Sequence, residues 1–317
     1  MNKLRKTRQL ILSAEDIVLA CHENPDGDAI GSLVALGLGL KQMGKKVHLI
    51  SPDGVPVHLS FLTKEIEILN SFPSEDVSLL IIVDGESPQR LGKIKLPSAR
   101  VTLIIDHHPP ISNSSDLVRI VDTTASATGE LVYRLLKYLR VDFTLSIVEA
   151  LLVAILSDTG GLRFPNTTPR TLWIVSALMR LGGNLSEIWR KLYEGKSEGY
   201  LKVLGEVLLR VETEYGGRIV MSYIRKDDLE RYCVQDRDLE GIVDYLRLLS
   251  GWEIIFLFRE TPNGVKVNIR SRTIDAGKLA QLFGGGGHKE AAGCTINQSL
   301  DNARRIILEE LRKWMVC

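Results

Sequence analysis

His22-Glu23-Asn24-Pro25-Asp26-Gly27-Asp28 follows directly on the apolar run 17–21, Ile-Val-Leu-Ala-Cys. A short run of this kind without polar alternation is expected of a strand buried on both faces, as in a parallel sheet. The seven residues after it place one imidazole and two carboxylates on the turn leaving the strand. Gly27 lets the backbone bend so that both carboxylates face one point. Gly31 and Ser32 then open a helix, whose amino end favours a nearby anion. The plain alternative is a polar loop with Asp28 as a helix cap.

The pattern recurs. Runs 47–50, 79–83 and 101–105 are equally apolar, with a helical pattern clearest at 30–43. This predicts an α/β domain with helices on both faces of a mostly parallel sheet. Three of the runs end in His22, Asp84 and Asp106. Ligands of open parallel sheets bind beyond the carboxyl ends of the strands, so distant polar residues can converge on one edge. A lone Asp84 reads as a turn or cap residue. Asp106-His107-His108 holds two adjacent histidines in a chain with only six; the alternative is a pair of loop histidines bonded to backbone. Ser157-Asp158-Thr159-Gly160-Gly161 closes the apolar run 150–156. A helix stop explains its glycines but not Asp158.

Farther along, 128–140, 145–156, 169–181 and 185–193 have helical spacing. Gly195-Lys196-Ser197-Glu198-Gly199 reads as a hinge or the start of a connecting helix. Strands are expected at 218–223, 253–258, 265–269 and 293–296, with helices at 238–249 and 300–314. Pro262-Asn263-Gly264 marks a hairpin turn. The domain expectation is 1–190, a linker at 191–205, and a smaller α/β domain at 206–317.

The 317 residues are 44% hydrophobic and 25% charged, the balance of a globular protein. Forty Lys and Arg nearly cancel 39 Asp and Glu. Grip on long duplex nucleic acid normally brings a basic excess, so an anionic partner is expected to be small. Cys21, Cys233, Cys294 and Cys317 are scattered, which argues against a disulfide framework or zinc ribbon and fits a reducing cytoplasm. No apolar run has the length of a membrane span, and no long apolar stretch follows the basic start, so neither anchor nor signal peptide is expected. Oligomeric state is left open, a homodimer included.

Four aspartates and two or three histidines without a thiolate suit Mn²⁺, with Mg²⁺ or Co²⁺ as alternatives. So many carboxylates at one edge repel unless cations neutralise them. Six donors suit two metals roughly 3.5–4 Å apart that share a carboxylate and a hydroxide. In the second half, alternation puts Asn268, Arg270 and Arg272 on one strand face. Arginine forks suit phosphate oxygens. Gly284-Gly285-Gly286-Gly287, ahead of His288, lets an anion approach backbone N–H groups.

The set His22-x-x-x-Asp26-x-Asp28, Val83-Asp84, Asp106-His107-His108 and Asp158-Thr159-Gly160 resembles the DHH phosphoesterase superfamily. The runs from Val121 to Glu130 and from Asn166 to Arg170 look like its intervening segments. Arg270-Ser271-Arg272 and the run from Gly284 to Gly293 resemble the DHH-associated domain. The resemblance spans nearly the whole chain and is nearest to the oligoribonuclease and pAp phosphatase subfamily. It implies a two-domain fold with an active site in the interdomain cleft. It also implies metal ligation by His22, Asp26, Asp28, Asp84, His107 and Asp158, with Asp84 as the bridge. Asp106 would orient an imidazole, and His108 would face the substrate phosphate. Arg270, Ser271, Arg272, Gly286, Gly287 and His288 would hold the nucleotide.

Two departures concern the substrate-facing rim: Gly85 follows Asp84 where the subfamily often has a polar residue, and two prolines and Ile111 follow His108 where it more often has a short loop ending in Asn, a place that Asn113 takes, shifted. The implied activity is hydrolysis of short oligoribonucleotides, pAp or linear dinucleotides such as pApA. Rival readings are a cyclic di-AMP phosphodiesterase, an inorganic pyrophosphatase, and a non-catalytic metal-dependent nucleotide-binding regulator.

Overall fold

The computed structural model describes all residues but Met1, Glu75, 111–116, Glu240, His288 and 315–317. The chain divides into two compact units, Met1–Gly195 and Lys196–Cys317.

The first unit runs α1 (Asn2–Ser13), β1 (Asp16–Ala20), α2 (Gly27–Gln42), β2 (Lys46–Ile50), β3 (Ile68–Leu69), β4 (Asp76–Val83), β5 (Ser98–Asp106), β6 (Leu117–Val121), α3 (Thr128–Leu139), α4 (Leu145–Asp158), α5 (Pro169–Arg180) and α6 (Leu185–Tyr193). Its sheet has the order β3-β2-β1-β4-β5-β6, and every pairing is parallel. Order reverses between β1 and β4, so the turns leaving those neighbouring strands open at the switch point where such sheets bind ligands. The sequence reading lacks β3, only two residues long, and β6. Arg119 in the middle of β6 and its half-buried edge position hide the apolar signal.

Helix α2 is buried from Gly27 to Leu40, between the sheet and α4. Small residues bring the two helices together: a Cβ on Gly31 would sit 2.4 Å from the carbonyl oxygen of Ala150. Any side chain there would push away α4, which carries Asp158 on its last turn.

The second unit runs α7 (Glu198–Leu209), β7 (Glu212–Glu214), β8 (Ile219–Ile224), α8 (Lys226–Arg231), β9 (Ile254–Thr261), β10 (Gly264–Ser271), α9 (Ala276–Gln281), β11 (Gly286–Gly287), β12 (Ala291–Ile296) and α10 (Leu300–Trp314), with sheet order β11-β12-β10-β9-β8-β7. The β9–β10 hairpin turns at Pro262-Asn263, with Gly264 at φ +116°. Residues 191–205, read as a linker, are mostly helical: α6 continues to Tyr193, and Ser197 caps α7. Tyr200, Val203, Leu204 and Val207 of α7 pack into a core with Val220 and Ile255 of the second sheet.

The helix expected at 238–249 is a correction. The chain forms two 3-10 stretches, Asp236–Leu239 and Ile242–Leu248. Gly241 between them has φ +79°, which an α-helix does not allow.

Candidate active site

Asp26, not Asp28, caps α2: its Oδ1 accepts from the N–H groups of Asp28 and Ala29, both at 3.0 Å. Asp28 is left to point inward. Its Oδ2 accepts from the Thr128 N–H at 2.6 Å and its Oδ1 from the Gly129 N–H at 2.9 Å. The first turn of α3 thus supplies otherwise unsatisfied donors to a fully buried carboxylate. Asp84 leaves β4 at φ +54°, a left-handed conformation that Asp tolerates better than most residues. Its Oδ1 accepts from Thr128 Oγ1 at 3.0 Å.

The histidines are oriented by what their other nitrogen meets. His22 Nδ1 lies 2.7 Å from the Glu23 carbonyl, and His107 Nδ1 lies 3.2 Å from the Ala125 carbonyl. A carbonyl can only accept, so Nδ1 carries the proton in both. Nε2 is then the donor atom available to a metal, the arrangement typical of ligating histidines. His22 Nε2 lies 3.4 Å from Asp84 Oδ2. His107 Nε2 lies 3.1 Å from Asp158, 3.8 Å from Asp84 and 4.0 Å from Asp28. His108 is turned the other way: its Nδ1 and backbone N–H meet Asp106 Oδ1 at 2.7 and 3.0 Å.

These donors fall into groups. His22, Asp26 and Asp84 bring one ligand atom each within 4.8 Å of one another, and so do Asp28, His107 and Asp158. Asp84 also groups with His107 and His108, which places it between the two sets. All six residues expected as ligands are therefore gathered, three and three. The donor chemistry, four carboxylates with imidazole nitrogens and no thiolate, fits hard divalent cations.

The electrostatics agree. Burial and the charges of Asp84 and Asp158 push Asp26 up to about 7. Burial with the same two neighbours also raises Asp28. Burial would lower His22 and His107, but bonds and charges from the surrounding carboxylates outweigh it and lift them to about 9 and about 11. Burial would raise Asp84, but the bond to His22 and the charges of His108 and His107 hold it well below the usual carboxylate range. The cluster draws positive charge, and a bound cation would displace protons from these groups.

In the second unit Asn268 and Arg270 are half-buried and Arg272 is exposed, on the face opposite the core residues of β10. Arg270 does not stand alone: its Nε and Nη2 meet Asp244 at 2.9 and 3.4 Å. Arg272 lies over the Trp252 ring, 3.8 Å from its centroid. Ser271 is not brought to them. It alternates to the core face, 3% exposed, and its hydroxyl accepts from the N–H groups of Thr273 and Ile274. Gly286 and Gly287 pair with Gly293 and Ala292. At Gly287, with φ +138°, a Cβ would meet the Ala291 carbonyl oxygen at 2.5 Å. His288 and Asn113 lie outside the described residues.

Sequence reasoning placed Ala125, Thr128 and Gly129 only within a segment resembling the family's and gave them no role; the structure has them bonded to His107, Asp84 and Asp28. Their one signal is the small-residue run Ala125-Ser126-Ala127-Thr128-Gly129 before an amphipathic helix. Asp244 and Trp252 were also missed, because nothing local marks them.

Residues 16–155 match a model described as the DHH family, N-terminal domain, and residues 216–316 match the DHHA1 domain. The protein named bifunctional oligoribonuclease and PAP phosphatase NrnA from Thermus thermophilus is 33% identical over 98% of this chain and 94% of its own length. The Bacillus subtilis protein of the same name is 30% identical over 93% of each chain. A crystal structure of an exopolyphosphatase-related protein from Bacteroides fragilis superposes with a TM-score of 0.89 at 24% identity, over 99% of this chain and 96% of that one.

Proposed function

The chain belongs to the DHH family and is a hydrolase of phosphate esters, and from that premise we propose that its substrates are very short oligoribonucleotides and pAp. The two relatives are named for both activities. The observation that carries the reading is the three-and-three grouping of hard donors around Asp84. We propose that His22, Asp26 and Asp84 hold one divalent cation, Mn²⁺ by donor chemistry, and that Asp28, His107 and Asp158 hold a second, with Asp84 shared. When bound, such ions polarise a phosphoryl oxygen and acidify a water to a nucleophile at neutral pH.

The chain's own residues do the rest. Asp106 fixes the His108 ring through Nδ1, so that Nε2 is the nitrogen presented to substrate. Burial lowers the His108 pKa, but the bond to Asp106 and the charge of Asp84 raise it overall, which keeps a proton for a charged phosphoryl oxygen. In the second unit, Arg270 and Arg272 would read phosphate, and Gly286, Gly287 and His288 would line the nucleotide. The near-neutral net charge suits a small substrate, and the scattered cysteines suit the reducing cytoplasm. Among the described residues, no helix is long and apolar enough to cross a membrane.

The test is purified protein with Mn²⁺ against pAp, pApA, two- to five-residue RNA, cyclic di-AMP and pyrophosphate. Hydrolysis of pAp and short RNA ahead of the last two is expected. Pyrophosphate turned over fastest would replace the reading with a pyrophosphatase. Tight nucleotide binding without turnover would make the chain a regulator.

A further inference from the structure

The segment 125–129 holds metal donors on its inner side, and a network of charges fixes it from the outside. Glu130, fully buried, accepts from Ser126 Oγ, Thr171 Oγ1 and Arg170 Nε, each at 2.7 Å. The same guanidinium gives Nη1 to Asp122 Oδ2 at 3.0 Å. Asp122 also accepts from the Thr124 N–H and hydroxyl and from Arg134. Asn166 adds a second tie, donating Nδ2 to the Ser126 carbonyl at 3.1 Å and to the Asp158 carbonyl at 3.0 Å. A planar fork that joins two carboxylates at once is something arginine provides and lysine does not.

The inner contacts of this segment are one-sided. Ala125 O takes the His107 ring, and the Thr128 and Gly129 N–H groups take Asp28. Asn166 takes the backbone of Asp158. Those are all three members of one donor group. Of the other group only Asp84 is touched, through the Thr128 hydroxyl. His22 is set by the Glu23 carbonyl, and Asp26 by the amino end of α2.

We infer that Arg170 is a positioning residue for the Asp28–His107–Asp158 group and that the two cation sites are tuned separately. The inference rests on the proposal that each group holds one cation. Arg170, acting through Glu130 and Asp122, sets the start of α3, and with it the carboxylate of one site. The other site takes His22 and Asp26 from the β1–α2 turn and meets the start of α3 only through Asp84.

The experiment is a Mn²⁺ titration of the full chain, read by calorimetry and by the paramagnetic resonance of free Mn²⁺. Arg170→Met keeps the stem and removes the fork. Asn166→Ala, at an exposed side chain, is the second variant should the first fail to fold. The wild type is expected to bind two ions. Each variant should keep one site within about twofold and weaken the other by roughly 10- to 100-fold, with an unchanged circular dichroism spectrum. Arg134→Ala, which loses only a bond to Asp122, should leave both sites intact. Equal weakening of both sites, or no weakening, overturns the inference while the two-cation reading stands. A wild type that binds fewer than two ions overturns that reading itself.

Discussion

Thr128 Oγ1 donates to Asp84 Oδ1 at 3.0 Å, with neither side chain open to solvent. The bond fixes the rotation of the one carboxylate that stands between both donor groups. Valine has nearly the same shape and no hydroxyl. Thr128→Val should therefore fold and lower kcat/KM and Mn²⁺ affinity by roughly 10- to 100-fold, while Thr128→Ser should restore most of both. Wild-type kinetics in the valine variant would show that the carboxylate needs no such support.

Removing the shared carboxylate is a harsher test. Asp84→Ala should reduce turnover to background and weaken both proposed Mn²⁺ sites, because Asp84 groups with His22 and Asp26 on one side and lies 3.8 Å from His107 on the other. The measurements are steady-state hydrolysis and bound metal per chain. Near-normal activity with full metal occupancy would remove Asp84 from the centre.

Arg270 should behave differently. It carries no metal, and its fork meets Asp244. Arg270→Ala should leave metal content unchanged and lower kcat/KM on pAp by roughly ten- to a hundred-fold, the worth of about 1.5–3 kcal/mol for a charge-assisted contact. The loss should be much smaller on bis(p-nitrophenyl) phosphate, which has no second phosphate for the arginine to hold. Equal losses on both substrates would mean that the second unit shapes the metal site itself.

The fork of Arg210 on Asp228 makes a prediction about acid. Burial alone would raise the Asp228 pKa, but Arg210 and the Arg225 N–H, at 2.8 Å, outweigh it and hold it below the usual value. A carboxylate depressed in the folded state stabilises fully above its unfolded pKa of about 3.9 and loses that contribution as pH falls through the lower folded value. Asp228→Asn should cost about 1.5–3 kcal/mol near neutrality, the range for a lost charged hydrogen bond. In urea titrations the gap to wild type should be constant from pH ~8 to ~5 and narrow below pH ~4. A gap that does not change with pH would deny the pair its charge.

How much of this was legible depended on the range of the interaction. The runs ending in His22, Asp84 and Asp106 could be placed because a strand buried on both faces is apolar without interruption, and its end is where polarity returns. The six residues proposed as metal donors could be named through the resemblance to the DHH superfamily; their types alone pointed only to carboxylates and imidazoles gathered at the ends of buried strands. What orients them was not readable. Thr128 and Glu130 look like the opening of an ordinary helix, and only the fold brings Thr128 against Asp84 and Glu130 against Arg170. Ser271 shows the converse: the Arg-Ser-Arg motif suggested three residues acting together, while strand alternation sends the middle one into the core. Asp244 was hidden for a different reason, since 238–249 has helical composition and the left-handed Gly241 breaks it.

The grouped carboxylates and imidazoles of the first unit come from the β1–α2 turn and first turn of α2, from the ends of β4 and β5, and from the last turn of α4. None of the two groups is complete within one stretch of chain, so an unfolded or half-made polypeptide offers a divalent ion no more than scattered carboxylates. On the ribosome, the proposed Asp28–His107–Asp158 site cannot form until Asp158 has emerged and α4 has docked on α2. A cation bound there, as proposed, would act as a late latch on a finished domain, and its binding energy would accrue almost wholly to the native state.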